Sequence, residues 1–259
     1  MEVAAGPGPG SFHPGRFARA GVGPPPLRLP EGRYLAVLGG SETCGRGVEA
    51  PYPLKLERML GRPCLNFGQH NASVELALAD ARLVAACRGA ALTVVAVTGA
   101  ANLSNRLYAV HPRRNDRFLK PSPALRVLFP EVDFADICFT RHLLLTLHEA
   151  APERFDIVRE ELRKAWEARM RSLRDRIGGP VLLLWFAAEA GPPEETVGPL
   201  GPDPLFVTAP MVEAAAAGTA GLVVVQPGRL GDEGHARVAE ALLAPVQALL
   251  PPEETRVSA

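Results

Sequence analysis

Five short apolar runs, each separated from the next by a stretch long enough for a helix, constrain this chain's fold more than any other feature. They are Tyr34-Leu35-Ala36-Val37-Leu38, Cys64-Leu65-Asn66-Phe67, Leu92-Thr93-Val94-Val95-Ala96-Val97, Val181-Leu182-Leu183-Leu184-Trp185-Phe186 and Gly221-Leu222-Val223-Val224-Val225. Each is apolar almost throughout. A strand with one wet face alternates polar and apolar residues, whereas a strand covered on both faces by helices does not need to. The intervening segments 50–61, 73–88, 136–149, 153–177, 210–217 and 234–249 read as helices. Ser73 is placed to cap the second and Gly61 to stop the first. Residues 153–177 interleave Glu and Arg around an apolar stripe of Phe155, Val158, Leu162, Trp166, Met170 and Leu173, the mark of a helix with one buried face. Alternating strands and helices predict an α/β fold with a doubly wound parallel sheet of five strands. Leu205-Phe206-Val207 reads as a short strand extension, and 99–133 as a long segment without periodicity. A connection of that length inside a domain is usually functional.

The chain has 259 residues, 47% of them hydrophobic, enough for one sizeable α/β core or two small ones. Residues 1–30, rich in Gly and Pro, read as a disordered tail, 31–250 as the folded domain, and 251–259 as a flexible tail. A formal net charge of zero gives no overall excess to attract nucleic acid. No run approaches the ~20 apolar residues of a membrane span, and the first residues lack the apolar core of a signal peptide. Cys44, Cys64, Cys87 and Cys138 lack the CxxC spacing of zinc or redox sites. The expectation is a cytoplasmic protein in a reducing compartment, with no metal, no cofactor, no nucleic-acid partner and no membrane partner.

In a doubly wound sheet, ligands gather outside the carboxyl ends of the strands. Gly39-Gly40-Ser41-Glu42-Thr43-Cys44-Gly45 follows the first strand and turns towards a helix. Such a turn can lift a hydroxyl above the sheet edge, so Ser41 is a candidate nucleophile; the alternative is a plain turn serine. The spacing Gly40-x4-Gly45 lacks the Lys-Ser/Thr of a phosphate loop, with Arg46-Gly47 in its place. Asp232-Glu233-Gly234-His235 offers an imidazole base and a carboxylate to orient it, although Asp232 is equally an N-cap. Gly68 can turn its N–H towards a substrate oxygen, or is a turn glycine. Asn66 and Asn71 can cap or bind substrate. Arg106, His111, Arg113, Arg114 and Arg117 crowd the segment 106–117. They can fork onto an anionic ligand, or pair with Asp116, Asp133 and Asp136.

Strand-then-Gly-Ser, Asn66-Phe67-Gly68-Gln69-His70-Asn71, an Asn after the third strand, and Asp-x-x-His before the last helix follow one another as the four blocks of the SGNH (GDSL-like) hydrolases do. The chain resembles that superfamily over most of residues 34–250. The resemblance implies a flavodoxin-like three-layer α/β/α sandwich and an esterase or acyl hydrolase, with a carbohydrate O-acyl group among the substrates. It implies Ser41 as nucleophile, His235 as base, Asp232 as its orienting acid, and Gly68 and Asn102 as oxyanion donors. The first block has Gly40 where the superfamily has Asp. The third reads Gly99-Ala100-Ala101-Asn102, which leaves Asn105 as a rival donor. Asn71, Asn105, Arg113 and Arg114 complete the candidate substrate-binding set. The segment Asn102 to Phe118 is more similar to a family of bacterial proteins of unknown function. The alternative to hydrolysis is a transferase or non-catalytic protein of the same fold that grips an anion through the 106–117 loop.

Overall fold

The computed structural model describes residues 31–187 and 198–250. The expected tails, 1–30 and 251–259, lie outside the described residues, as does most of the Gly/Pro-rich stretch after the fourth apolar run. In chain order the elements begin β1 (Leu35–Leu38), α1 (Ser41–Cys44), α2 (Tyr52–Leu60), β2 (Cys64–Asn66), α3 (Val74–Ala79), α4 (Ala81–Arg88) and β3 (Leu92–Ala96). They continue β4 (Tyr108–His111), β5 (Arg114–Pro121), α5 (Pro123–Leu128), α6 (Thr140–Ala150), α7 (Pro152–Ile177), β6 (Val181–Phe186), α8 (Ala209–Ala216), β7 (Gly221–Val225) and α9 (Asp232–Leu249).

The five apolar runs form one all-parallel sheet in the order β2-β1-β3-β6-β7. Counted among themselves these strands run 2-1-3-4-5, the flavodoxin-like order. Side chains on successive strand residues go to opposite faces. Leu35 and Val37 of β1 pack with Tyr52 and Leu56 of α2 and with Val238, Leu242 and Val246 of α9. Ala36 and Leu38 face the other layer, with Leu83 of α4 and Phe155, Leu162 and Trp166 of α7. The sheet is therefore covered on both sides, a three-layer α/β/α sandwich, which is why its strands are apolar throughout. The stripe expected on α7 is buried in full, and the Trp166 indole N–H donates to the Thr98 carbonyl at 2.8 Å. Among the described residues no helix is long and apolar enough to cross a membrane.

Four local expectations need correction. Residues 73–88 form two helices, because Asp80 leaves helical geometry and its carboxylate accepts from the Arg82 N–H, capping α4. The segment 99–133 is not structureless: it holds the antiparallel hairpin β4–β5 and α5. Tyr108, Val110, Asn115 and Phe118 turn inward, while the charged residues of the hairpin stay half-buried or exposed. The helix expected from 136 starts at Thr140. Phe118 N–H bonds the Cys138 carbonyl and Phe139 bridges to Arg117, so these residues are held extended against β5. Leu205–Val207 is no strand: Phe206 has φ 64°, in the left-handed region, and Val207 N–H closes a turn onto the Pro204 carbonyl.

Candidate active site

Ser41 stands where β1 ends, as the first residue of α1. That short helix sits unusually close to its neighbours, and two glycines make the approach possible. A Cβ on Gly39 would lie 1.9 Å from the Thr43 hydroxyl, and one on Gly68 would lie 2.3 Å from the Cys44 nitrogen. Thr43 is fully buried and its hydroxyl meets the Tyr52 hydroxyl at 2.8 Å. The Asn66 amide spans the gap, donating to the Thr43 carbonyl and accepting from the Gly68 N–H, each at 2.8 Å. Gly68 thus matters for its missing side chain. Its N–H is already bonded to Asn66, and it does not line the cleft above Ser41.

Beyond Gly68 the chain makes a four-residue turn, closed by Ala72 N–H onto the Gln69 carbonyl at 3.1 Å. His70 and Asn71 are its central residues. Asn71, the third of the four, has φ 54°, a conformation a type II turn demands and Asn tolerates better than other side chains. The turn presses both residues onto Ser41. Ser41 Oγ lies 3.0 Å from His70 Nδ1, and Asn71 N–H donates to the same Oγ at 3.0 Å. The Asn71 side-chain oxygen is further from Oγ, at 3.4 Å. Asn102, after β3, donates from Nδ2 to the Asn71 carbonyl at 3.2 Å. The Thr140 hydroxyl donates to Asn102 Oδ1 at 2.5 Å.

Ser41 and Asn71 lie on one side of a cleft of about 730 Å³. Its other walls come from Val97–Gly99 and Asn102 after β3, Phe186 and Ala187 at the end of β6, Pro227 and Gly228 after β7, Asp203–Leu205, and the hairpin and α6 through Asp116, Phe139, Thr140 and Arg141. The 99–133 segment therefore does form a wall. Its arginines do not: none of Arg106, Arg113, Arg114 and Arg117 lines the cleft. Arg106 forks onto Glu161 on α7, Arg114 lies 3.6 Å from Asp116, and the Arg117 guanidinium stacks on Phe139. Arg113 joins its loop through its backbone N–H, which donates to His111 Nδ1. Asn105 caps the turn into β4 by accepting from the Leu107 and Tyr108 N–H groups, and does not line the cleft. Of the two asparagines weighed as oxyanion donors, Asn102 is the one at the cleft.

The expectation that His235 meets Ser41 needs correction. His235 is 1% exposed, stacks on Tyr52, and uses Nδ1 to accept the Tyr52 N–H at 3.1 Å. That N–H opens α2, and the preceding Pro51 supplies no side-chain acceptor. The imidazole therefore caps a helix to which it is not attached in sequence. With Nδ1 occupied as an acceptor, a neutral ring carries its proton on Nε2 and has no lone pair left for a serine proton. Burial, then Lys55, lowers the His235 pKa against the pull of Asp232, which favours that neutral form. Asp232 is exposed in the first turn of α9, and among the described residues makes no hydrogen bond to His235.

Two residues of the site escaped the sequence reading. His70 had a usable signal, a histidine at the centre of a turn just past a strand's carboxyl end. Thr140 had none, since a helix start 38 positions beyond Asn102 says nothing of what it touches. Among the described residues no group of three or more His, Cys, Asp or Glu is placed to hold a metal ion.

Fold and site together define a flavodoxin-like α/β/α protein with a serine–histidine pair at the β1/β3 switch point of its sheet. The chain belongs to the DUF6473 family, a domain of unknown function, whose profile matches residues 15–253. No curated protein matches the sequence. Among solved structures it is similar to a family two carbohydrate esterase from Clostridium thermocellum in complex with cellohexaose, at 10% identity and a TM-score of 0.44. That alignment covers 85% of this chain and 65% of the esterase, so the chain spans about two-thirds of that enzyme's length. It is also similar to the lipase Lip_vut3 from a goat rumen metagenome, at 14% identity, 82% and 96% coverage and a TM-score of 0.39. Likenesses this distant assign neither an activity nor a substrate.

Proposed function

We propose that the protein is a serine acyl hydrolase of the SGNH type whose base is His70 rather than His235. The observation that carries this reading is the 3.0 Å separation of Ser41 Oγ and His70 Nδ1 beside a roomy cleft at the carboxyl edge of the sheet. In the tautomer with its proton on Nε2, His70 can accept the Ser41 proton at Nδ1 as Oγ bonds to an ester carbonyl carbon. The imidazolium then gives that proton to the departing alkoxide. Water, deprotonated by the same ring, attacks the acyl-enzyme, and the acid leaves with Ser41 restored. Among the described residues no carboxylate hydrogen-bonds to His70, so the reading is of a dyad.

The oxyanion would be met by the Asn71 N–H, already 3.0 Å from Oγ, and by the Asn102 Nδ2 proton not given to Asn71. Donors of this kind are worth about 10²–10³-fold in rate. A carbohydrate O-acyl ester is the substrate class that the likeness to the SGNH blocks implies, and a cytoplasmic location agrees with the free cysteines. The anion-gripping alternative has less support, because Arg113 and Arg114 stand outside the cleft lining.

A fluorophosphonate probe tests the proposal. The native protein should be labelled, Ser41→Ala spared, and His70→Ala labelled far more slowly. A folded native protein that resists the probe, or a His70→Ala variant labelled at the native rate, refutes the dyad.

A further inference from the structure

We infer that Thr140 is a positioning residue, which anchors the Asn102 amide by its oxygen and through it keeps the Asn71 N–H on the nucleophile. The inference rests on the reading of Ser41 as that nucleophile. The two ends of an asparagine amide have nearly the same shape, and only their partners decide which faces where. One end here meets Thr140, whose hydroxyl is the shared point of two contacts, Asn102 Oδ1 at 2.5 Å and the Asp116 carbonyl at 3.3 Å. The Asn71 carbonyl can only accept, so it takes Nδ2 and turns Oδ1 towards Thr140, whose hydroxyl proton goes to that shorter contact. Thr140 is 2% exposed, so water does not stand in for it.

With Oδ1 anchored by Thr140, the amide is held where its Nδ2 reaches the Asn71 carbonyl at 3.2 Å. Asn71 is held from its other side as well, by its own Nδ2 donating to Asp116 Oδ2 at 3.4 Å. It needs both restraints, because its backbone lies in the left-handed region at φ 54° and its N–H must reach Ser41 Oγ. Without the hydroxyl, Oδ1 loses its donor and the Asn102 amide is free to swing away from the Asn71 carbonyl. The turn would loosen, and the cleft would lose the Nδ2 proton that faces an oxyanion. Thr140 thereby acts on the reaction through two amides without bonding to Ser41. Its place at the first residue of α6, pinned by the extended 138–139 segment on β5, makes the hairpin wall part of the active-site scaffold.

The test uses the full chain and two readouts, the second-order rate of fluorophosphonate labelling and kcat and KM on a short-chain p-nitrophenyl ester. Thr140→Val keeps the shape and removes the donor. It should slow labelling and lower kcat by about 10- to 100-fold, short of the about 10²–10³-fold that outright loss of an oxyanion donor costs, with KM little changed. Thr140→Ser should restore the rate. On an Asn102→Ala background Thr140→Val should cost almost nothing further, because the two act in series. Native rates in Thr140→Val, additive losses with Asn102→Ala, or failure of Thr140→Ser to rescue would each overturn the inference. If Thr140→Val does not fold, Thr140→Ala replaces it; if neither folds, the hydroxyl serves the fold, and the positioning role is overturned. A native protein that the probe leaves unlabelled refutes the serine reading itself, whereas a labelled native protein with an indifferent Thr140→Val refutes only the relay.

Discussion

Replacing His235 separates a buried helix cap from a catalytic base. Tyr52 is fully buried, and its N–H, the first of α2, has His235 Nδ1 as its hydrogen-bond partner at 3.1 Å. His235→Leu keeps an apolar body against the Tyr52 ring and removes the acceptor. A buried N–H left without a partner costs about 1–3 kcal/mol. For a domain of 150–250 residues each kcal/mol moves Tm by about 2–4 °C, so the fall should be roughly 2–12 °C. His235→Asn places a side-chain oxygen near the position of Nδ1 and should cost less, under about 1 kcal/mol. Thermal and urea denaturation followed by circular dichroism read the stability, and fluorophosphonate labelling of the same samples reads the serine. Both variants should label at close to the native rate wherever they are folded. A His235→Leu protein as stable as the native one would refute the cap. A folded His235→Asn protein that no longer labels would make His235 the base after all.

The same residue gives stability a pH dependence. Burial holds its pKa below the ordinary value of about 6.5, so on acidification the unfolded chain takes up a proton before the folded one does. The contribution of neutral His235 is complete above about pH 6.5 and is lost as pH falls towards the folded-state pKa. The stability advantage of the native protein over His235→Asn should therefore shrink from pH 7 to pH 5, and a constant difference across that range would contradict it. Gly68→Ala should destabilise by about 1–3 kcal/mol or more, because its Cβ would meet main-chain atoms of Thr43 and Cys44 at 2.6 and 2.3 Å. A neutral Gly68→Ala, measured by urea denaturation, would mean that α1 is not held as closely as described.

Much of the fold was legible because it depends on local pattern. The five apolar runs announce strands covered on both faces, and the stripe from Phe155 to Leu173 announces the buried face of α7; all six stripe residues are buried. The hairpin β4–β5 was not legible. Its inward residues Tyr108, Val110 and Phe118 are few among arginines and aspartates, and its two-residue link Pro112-Arg113 carries none of the Asn-Gly or Asp-Gly chemistry that marks hairpin turns. Nor was the break at Asp80, because an aspartate within an apolar-periodic run reads as a solvated helix residue until its carboxylate is seen on the Arg82 N–H.

The site divides in the same way. Sequence alone put Ser41, Gly68, Asn102 and the 226–235 loop after strands of one parallel sheet, and parallel strands bring their carboxyl ends to a single edge whatever the residues between them do. Which histidine reaches the serine is a different kind of question. His70 and His235 both lie near a carboxyl end, and spacing along the chain does not rank them. The choice is made by orientation, over distances of a few ångströms. A turn with Asn71 at φ 54° points His70 at Ser41, while the packing of α9 against α2 commits the His235 ring nitrogen to the Tyr52 N–H. Patterning decides which elements form and which edge they share; the direction of a side chain depends on turns and helix contacts that exist only once the elements have packed, and so only the tertiary structure sets it.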